Sequence, residues 1–152
     1  MKQDMPIVRA YFDTNVFIVG INELCSNSRL ALEAANAGKF SLLSSFHIFD
    51  ELDNWFRAYK SRSEAFRAVS IVANIANEVA AFEEIKKLLI SYKDVVPEDD
   101  LPHLCAAKAL GADMIISTNR HFLEEQNIIK TKTPKEFVAE VLKLHDYFKI
   151  NA

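Results

Sequence analysis

Apolar positions recur along this chain in short β-branched runs and in longer stretches at helical spacing. Ile7 to Phe12 is a β-branched and aromatic run that stops at Asp13-Thr14-Asn15, residues that favour turns and caps, so it predicts a first strand ending at Asp13. After a segment to about Asn22, Ser28 to Ala37 is rich in helix formers and is followed by Gly38, a good residue just past a helix end. Ser41 to Ser45 reads as a second short strand. Phe46 to Tyr59 then carries Ile48, Leu52, Trp55, Phe56 and Tyr59 at helical spacing, an amphipathic helix with an aromatic stripe. From Ser63 to Tyr92 there is neither Gly nor Pro, which predicts two helices with a break near Asn74 or Asn77. Residues 95–100 read as a turn, and Leu101 to Leu110 as a helix closed by Gly111. Met114 to Ser117 predicts a third strand ending at Thr118-Asn119, and Ile128-Ile129 a fourth. Thr133-Pro134-Lys135-Glu136 is a helix start with an N-cap, Pro at the first position and Glu at the third, and the helix is expected to run to about Phe148.

Short strands separated by helices pair in parallel with helices on both faces, so the expected class is α/β: a three-layer α/β/α sandwich on a short central parallel sheet, one domain over residues 1–152. Such sheets gather chemistry at the carboxyl ends of their strands, which brings Asp13 and Thr118-Asn119 together.

Composition narrows the classes. With 3 Gly and 4 Pro in 152 residues, the chain lacks the turn residues of a many-stranded barrel, and neither G-x-G-x-x-G nor G-x-x-x-x-G-K-[ST] occurs to cradle a nucleotide phosphate. A receiver-like phosphoacceptor is disfavoured because no partner Lys strand is recognisable. Eighteen Lys+Arg against 21 Asp+Glu leave a net charge of −3, so nothing global draws the chain onto a polyanion or an anionic membrane. Cys25 and Cys105 form neither a disulfide framework nor a zinc site, and no stretch approaches the roughly 18 apolar residues of a membrane span, so a cytoplasmic protein is expected.

Three carboxylates stand out, each with an ordinary reading beside the chemical one. Asp13 ends a strand, where it also serves as an N-cap. Glu51 lies three residues from Ile48 and four from Trp55, at the border of the apolar stripe, where a carboxylate usually reaches to water. Asp100 precedes a helix with Pro102 in its first turn and has Glu98 and Asp99 as acidic neighbours. If the fold brings the three to one edge they repel one another unless a cation holds them, and hard divalent ions with oxygen ligands do that.

The strand ending in D-T-N-V-F (Asp13 to Phe17), the helix with F-D-E-L (Phe49 to Leu52), the block D-L-P-H-L-C-A-A-K-A-L-G-A-D-M-I-I-S-T-N-R-H-F (Asp100 to Phe122) and the closing T-P-K-E-F (Thr133 to Phe137) together resemble the signature blocks of PIN-domain nucleases, over nearly the whole chain. The resemblance implies Mg²⁺ or Mn²⁺ held by an acidic cluster and hydrolysis of RNA phosphodiesters by metal-activated water. Matched position by position, it gives Asp13, Glu51 and Asp100 as metal ligands, Asn15 as the polar residue orienting the cluster, Ser117 as the small hydroxyl residue of the last motif, and Asn119 where that motif often has Asp. Asn119 is a departure: an amide oxygen can ligate a hard cation but brings no charge. Asp99 is placed to compensate; Asp113, in the turn before the third strand, reads as structural. Compact members of this kind look like VapC-type toxins, which implies an antitoxin partner and, frequently, a homodimer; others are free-standing. For RNA contact, Arg57, Lys60, Arg62 and Arg67 form a basic stretch and Arg120-His121 follow the last motif. His103 and His121 lie near the expected site with no role assigned. The competing reading is a PIN-like module that binds RNA or a protein with little or no cleavage.

Overall fold

The structure, a computed structural model, describes residues 7–124 and 126–144. Its centre is a parallel sheet of five strands in the order β3-β2-β1-β4-β5. Strand β1 (Arg9–Phe12) lies between β2 (Ser41–Ser45) and β4 (Met114–Ile116), with Tyr11 opposite Leu43 on one side and Ile115 on the other. Alternation along β1 sends Tyr11 and Phe12 to opposite faces. Phe12 joins Phe17, Phe40 and Phe137 in a buried aromatic cluster, with ring centroids 5.5–5.7 Å from Phe12. Tyr11, equally buried, meets the polar site described below.

The chain leaves β1 through α1 (Thr14–Asn22) and α2 (Asn27–Asn36), α2 being capped by the Ser26 hydroxyl, which accepts from the Arg29 amide at 3.1 Å. After β2 come α3 (Phe46–Tyr59) and α4 (Arg62–Ile75), begun in the same way by Ser45 and Ser61. The edge strand β3 (Glu78–Ala80) leads into α5 (Phe82–Leu88) and α6 (Leu101–Ala109), which cross back over the sheet to β4. Helix α7 (Arg120–Glu124), β5 (Thr131–Lys132) and α8 (Pro134–Glu136) complete the order. The α/β/α arrangement expected from the strand and helix pattern is therefore observed.

Several boundaries differ from the pattern. The stretch expected to hold two helices contains a strand between them: α4 ends at Ile75, and Asn77 pairs with Leu42 twice, its backbone amide donating to the Leu42 carbonyl at 2.8 Å and its side-chain oxygen accepting from the Leu42 amide at 2.9 Å. The side chain thus does the work of a peptide group and starts β3, a strand too short for any periodicity. The fourth strand expected at Ile128-Ile129 falls three residues later, at Thr131–Lys132, while Ile129 is buried in the preceding turn. The closing helix is not a continuous α-helix: after Glu136 it widens into a π-helical turn, Phe137–Val141, and Lys143 takes a left-handed φ of 55°. Both Phe137 and Val138 are buried, so the wide turn puts two successive side chains into the core. Its expected end near Phe148 lies outside the described residues. The segment between Asp13 and Asn22, left unassigned by pattern, is α1.

Candidate metal centre

Strands β1, β2 and β3 run outward on one side of the sheet, and β4 and β5 on the other. The order reverses between β1 and β4, and in parallel sheets the crevice beyond the carboxyl ends at that reversal is where ligands bind. Phe12 pairs with Ile116 there, and the Asp13 amide donates to the Ile116 carbonyl at 3.0 Å, so Asp13 and Ser117 come out of the sheet side by side.

The Asp13 carboxylate is almost fully buried and doubly held: one oxygen accepts from the Thr14 amide at 2.8 Å and the other from the Ser117 hydroxyl at 2.8 Å. Its cap role and its place in the cluster coexist, one carboxylate oxygen serving each end of the crevice. Glu51, midway along α3, keeps 39% of its side chain exposed while its carboxylate is held in the cleft. Its Oε1 accepts from the Thr14 hydroxyl at 3.0 Å, lies 3.4 Å from His47 Nε2, and meets His103 Nε2 in a short contact. Asp100 makes no cap bond to α6 despite its position; its Oδ1 accepts from the Asn119 amide nitrogen at 2.8 Å. Asn119 in turn uses its side-chain oxygen on the His121 amide at 2.9 Å, while its own amide donates to Ser117 Oγ at 2.8 Å. As arranged, Asn119 presents a donor to Asp100 and turns its oxygen to the start of α7. Asn15 is exposed at the rim. These side chains line one cleft of about 210 Å³ with Thr14, Ile18, Trp55, Asp99 and His103.

Asp113 is elsewhere: its carboxylate accepts from the Arg9 amide at 2.8 Å and fixes the start of β1, a structural role. The basic stretch is divided. Arg57 pairs with Asp53 at 2.9 Å and, with Arg62, lines a groove between α3 and α4, whereas Arg67 lines a different groove beside Arg29 and Glu33. Arg120 is exposed and pairs with Glu124 at 3.1 Å.

Sequence pattern gave no role to the two histidines that do most to set the site's electrostatics. His103, in the first turn of α6 and 2% exposed, lies three residues from Asp100 and so on its side of the helix. Its Nε2 sits against Glu51 and 3.7 Å from Asp13 Oδ1, and its Nδ1 bonds the Tyr11 hydroxyl at 2.9 Å. Burial alone would lower the imidazole's pKa, but the Glu51 hydrogen bond and the charges of Asp13, Glu51 and Asp100 outweigh it and hold it above the ordinary 6.5. Burial likewise disfavours charge on Glu51, yet the His103 and Thr14 hydrogen bonds and the nearby imidazoles hold it below 4.5. Asp100 goes the other way: burial and then the charge of Asp13 push it above 3.8, against the Asn119 hydrogen bond. For His47, burial and then the neighbouring His103 lower the pKa. The visible signal was spacing: His47 stands four residues before Glu51 and His103 three after Asp100.

Asp13, Glu51, Asp99 and Asp100 give this cleft carboxylate donors suited to a hard divalent cation, and such an ion would relieve the charge of Asp13 that, after burial, pushes Asp100 up. Residues 9–121 match the PIN domain family. The chain belongs to that family. No curated protein matches the sequence. Among solved structures, this PIN-domain chain is similar in fold to VapBC-1 from nontypeable Haemophilus influenzae (TM-score 0.62, 17% identity, covering 84% of this chain and 98% of the other). It is also similar to VapBC2 from Rickettsia felis bound to a DNA fragment from their promoter (TM-score 0.63, 16% identity, 83% and 98% covered). No helix among the described residues of this PIN domain is long and apolar enough to cross a membrane.

Proposed function

We propose that this PIN domain is a ribonuclease dependent on Mg²⁺ or Mn²⁺, and the toxin of a toxin–antitoxin pair. The observation that carries the reading is the convergence of Asp13, Glu51 and Asp100, from β1, α3 and the start of α6, on one cleft at the sheet's reversal point. They would hold the ion, with Asn119 beside it. A divalent ion so held supplies an activated water and counter-charge for the leaving oxygen of a phosphodiester. The chain's part is positioning. Thr14 and Ser117 hold the two oxygens of Asp13, Asn119 aims Asp100, and Thr14 also steers Glu51. Asn15, exposed at the rim, and His121, exposed at the start of α7, would meet the RNA backbone. The expected result is that purified protein cleaves RNA with Mg²⁺ or Mn²⁺, and that a chelator abolishes cleavage; undiminished cleavage by chelated, repurified protein overturns the reading.

An antitoxin partner is supported by likeness of fold to VapBC assemblies and by the groove between α3 and α4. That groove, about 780 Å³, offers Phe49, Val69 and the three-quarters exposed Phe66 beside Arg57 and Arg62. Exposed Phe46, Phe82 and Ile90 support a homodimer as a further contact, which sedimentation reads directly.

One observation favours the second reading, a PIN module that binds RNA or protein without cleaving it. His103 Nε2 stands between Asp13 and Glu51 and supplies, when protonated, part of the charge an ion would bring. Calorimetry with Mn²⁺ separates the two: a module that has replaced its ion by an imidazolium binds none at the carboxylates.

A further inference from the structure

We propose that His47, Glu51 and His103 form a second kind of metal site, for a borderline transition cation such as Zn²⁺, which shares Glu51 with the oxygen cluster. His47 and Glu51 are four residues apart on α3 and so lie on one face, their donor atoms 3.4 Å apart. His103 faces them from α6, with its ring centroid 5.0 Å from that of His47 at 63°. One ligand atom from each residue lies within 4.8 Å of the others. Tetrahedral sites with bonds of about 2.0–2.1 Å place donors roughly 3.3 Å apart; His47 and Glu51 already stand at that spacing, and an ion would enter by opening the short Glu51–His103 contact.

The back of the site is built as metal-bound imidazoles require. His103 Nδ1 bonds the Tyr11 hydroxyl at 2.9 Å, and that hydroxyl bonds Ser45 Oγ at 2.9 Å, all buried. Ser45 is itself fixed as the cap of α3, the helix that carries His47 and Glu51. With Nδ1–H donated to Tyr11, loss of the Nε2 proton now shared with Glu51 would turn that nitrogen's lone pair to an ion, the arrangement that orients histidine ligands in metal sites. Two imidazole nitrogens and a carboxylate oxygen suit Zn²⁺, Co²⁺ or Ni²⁺ and are poor ligands for Mg²⁺, which prefers oxygen. Asp13 Oδ1, 3.7 Å from His103 Nε2, is near enough to serve as a fourth donor, and the cleft admits water.

The consequence for activity rests on the nuclease reading: an ion on the two histidines takes Glu51 from the oxygen cluster, so Zn²⁺ opposes Mg²⁺. The site itself does not depend on that reading. In the full chain, Zn²⁺ is expected to bind stoichiometrically by calorimetry, and Co²⁺ to give the intense visible absorption of a tetrahedral ion. His47→Ala should weaken Zn²⁺ by more than about tenfold, the loss already typical when only a supporting residue is removed, and Tyr11→Phe by about tenfold. Mg²⁺ affinity should change far less than Zn²⁺ affinity in His47→Ala. Because Tyr11 is buried, its variant is compared only if its circular dichroism matches wild type; His47 is half-exposed and carries the test alone if it does not. Zn²⁺ affinity unchanged in His47→Ala, or a weak octahedral Co²⁺ spectrum, overturns the site. Histidine-dependent Zn²⁺ binding in a protein that cleaves no RNA with any ion keeps the site and defeats the nuclease reading, whereas Mg²⁺-dependent cleavage with Zn²⁺ binding indifferent to His47 does the reverse.

Discussion

Glu51 and His103 share a short contact in which each stabilises the other's charge, and this fixes how the metal-free protein responds to pH. His103 is raised above 6.5 in the fold, so its contribution is complete below 6.5 and is lost as pH rises through the folded value. Glu51 is lowered below 4.5, so its contribution is present above 4.5 and is lost as pH falls through the folded value. In chelator, the melting temperature should therefore peak between these limits and fall on both sides. Glu51→Gln should flatten both limbs and cost about 1–2 kcal/mol at the peak, less than the roughly 3–5 of a fully buried pair because Glu51 is open to the cleft. Melting curves from pH 4 to 9 check it; a Glu51→Gln profile parallel to wild type would show that the pair does not govern stability. Asn119 gives the complementary case. Its side-chain nitrogen stands 2.8 Å from Asp100 Oδ1, and Asn119→Asp sets two carboxylate oxygens against each other there. The metal-free variant should melt lower than wild type and bind Mn²⁺ more tightly, since affinity at oxygen sites rises with ligand charge. Calorimetric affinity equal to wild type would put position 119 out of reach of the ion.

At the scale of elements, what pattern made legible was whatever rests on local chemistry. The hydroxyl cap at Thr133, the stop at Gly38 and the apolar run of β1 all appear where the residues place them. Asp13 and Asp100 were legible as candidates because each stands at the junction of an apolar run and a helix start. What chose between cap and cluster for Asp100 is a contact 19 residues away, with Asn119, which no local rule contains. Strand β3 was invisible because its start depends on Asn77 pairing with Leu42, 35 residues away. The role of His103 was invisible because a histidine in an apolar helix reads as core until Tyr11 and Glu51 are known to meet it. Gly20 is a further case: inside α1 it looks like a defect, yet a Cβ there would lie 2.5 Å from Leu32 Cδ1 and 3.1 Å from the Ser28 carbonyl oxygen. Glycine is what lets α1 lie close on α2, and with it Thr14 at the head of α1 beside Glu51. Gly20→Ala should destabilise by about 1–3 kcal/mol despite alanine's better helix propensity, because the gain is smaller than the cost of overpacking. Chemical denaturation measures it, and a variant more stable than wild type would mean that Leu32 turns aside freely.

On the scale of the whole molecule, an acidic chain is proposed to act on a polyanion, and the site explains how. The net charge is −3, and Asp13, Glu51 and Asp100 concentrate as many negative charges in one cleft. The cationic side chains that line the α3–α4 groove are in part answered, Arg57 by Asp53. A phosphate approaching the metal-free protein meets repulsion of about 1 kcal/mol per carboxylate at contact distance before screening. Divalent ions remove this repulsion, which would make RNA binding, and not only cleavage, depend on them. The triple variant Asp13→Asn, Glu51→Gln, Asp100→Asn brings the net charge to zero and removes the three proposed ligands together. At low salt in chelator, where the nuclease reading expects no cleavage by either protein, it should bind single-stranded RNA about tenfold more tightly than wild type, and added Mg²⁺ should narrow the gap by improving wild type alone. Fluorescence anisotropy reads both effects. If wild type and the triple variant bind RNA equally in chelator, bound phosphate does not face the three carboxylates, and the RNA path lies on another surface of the domain.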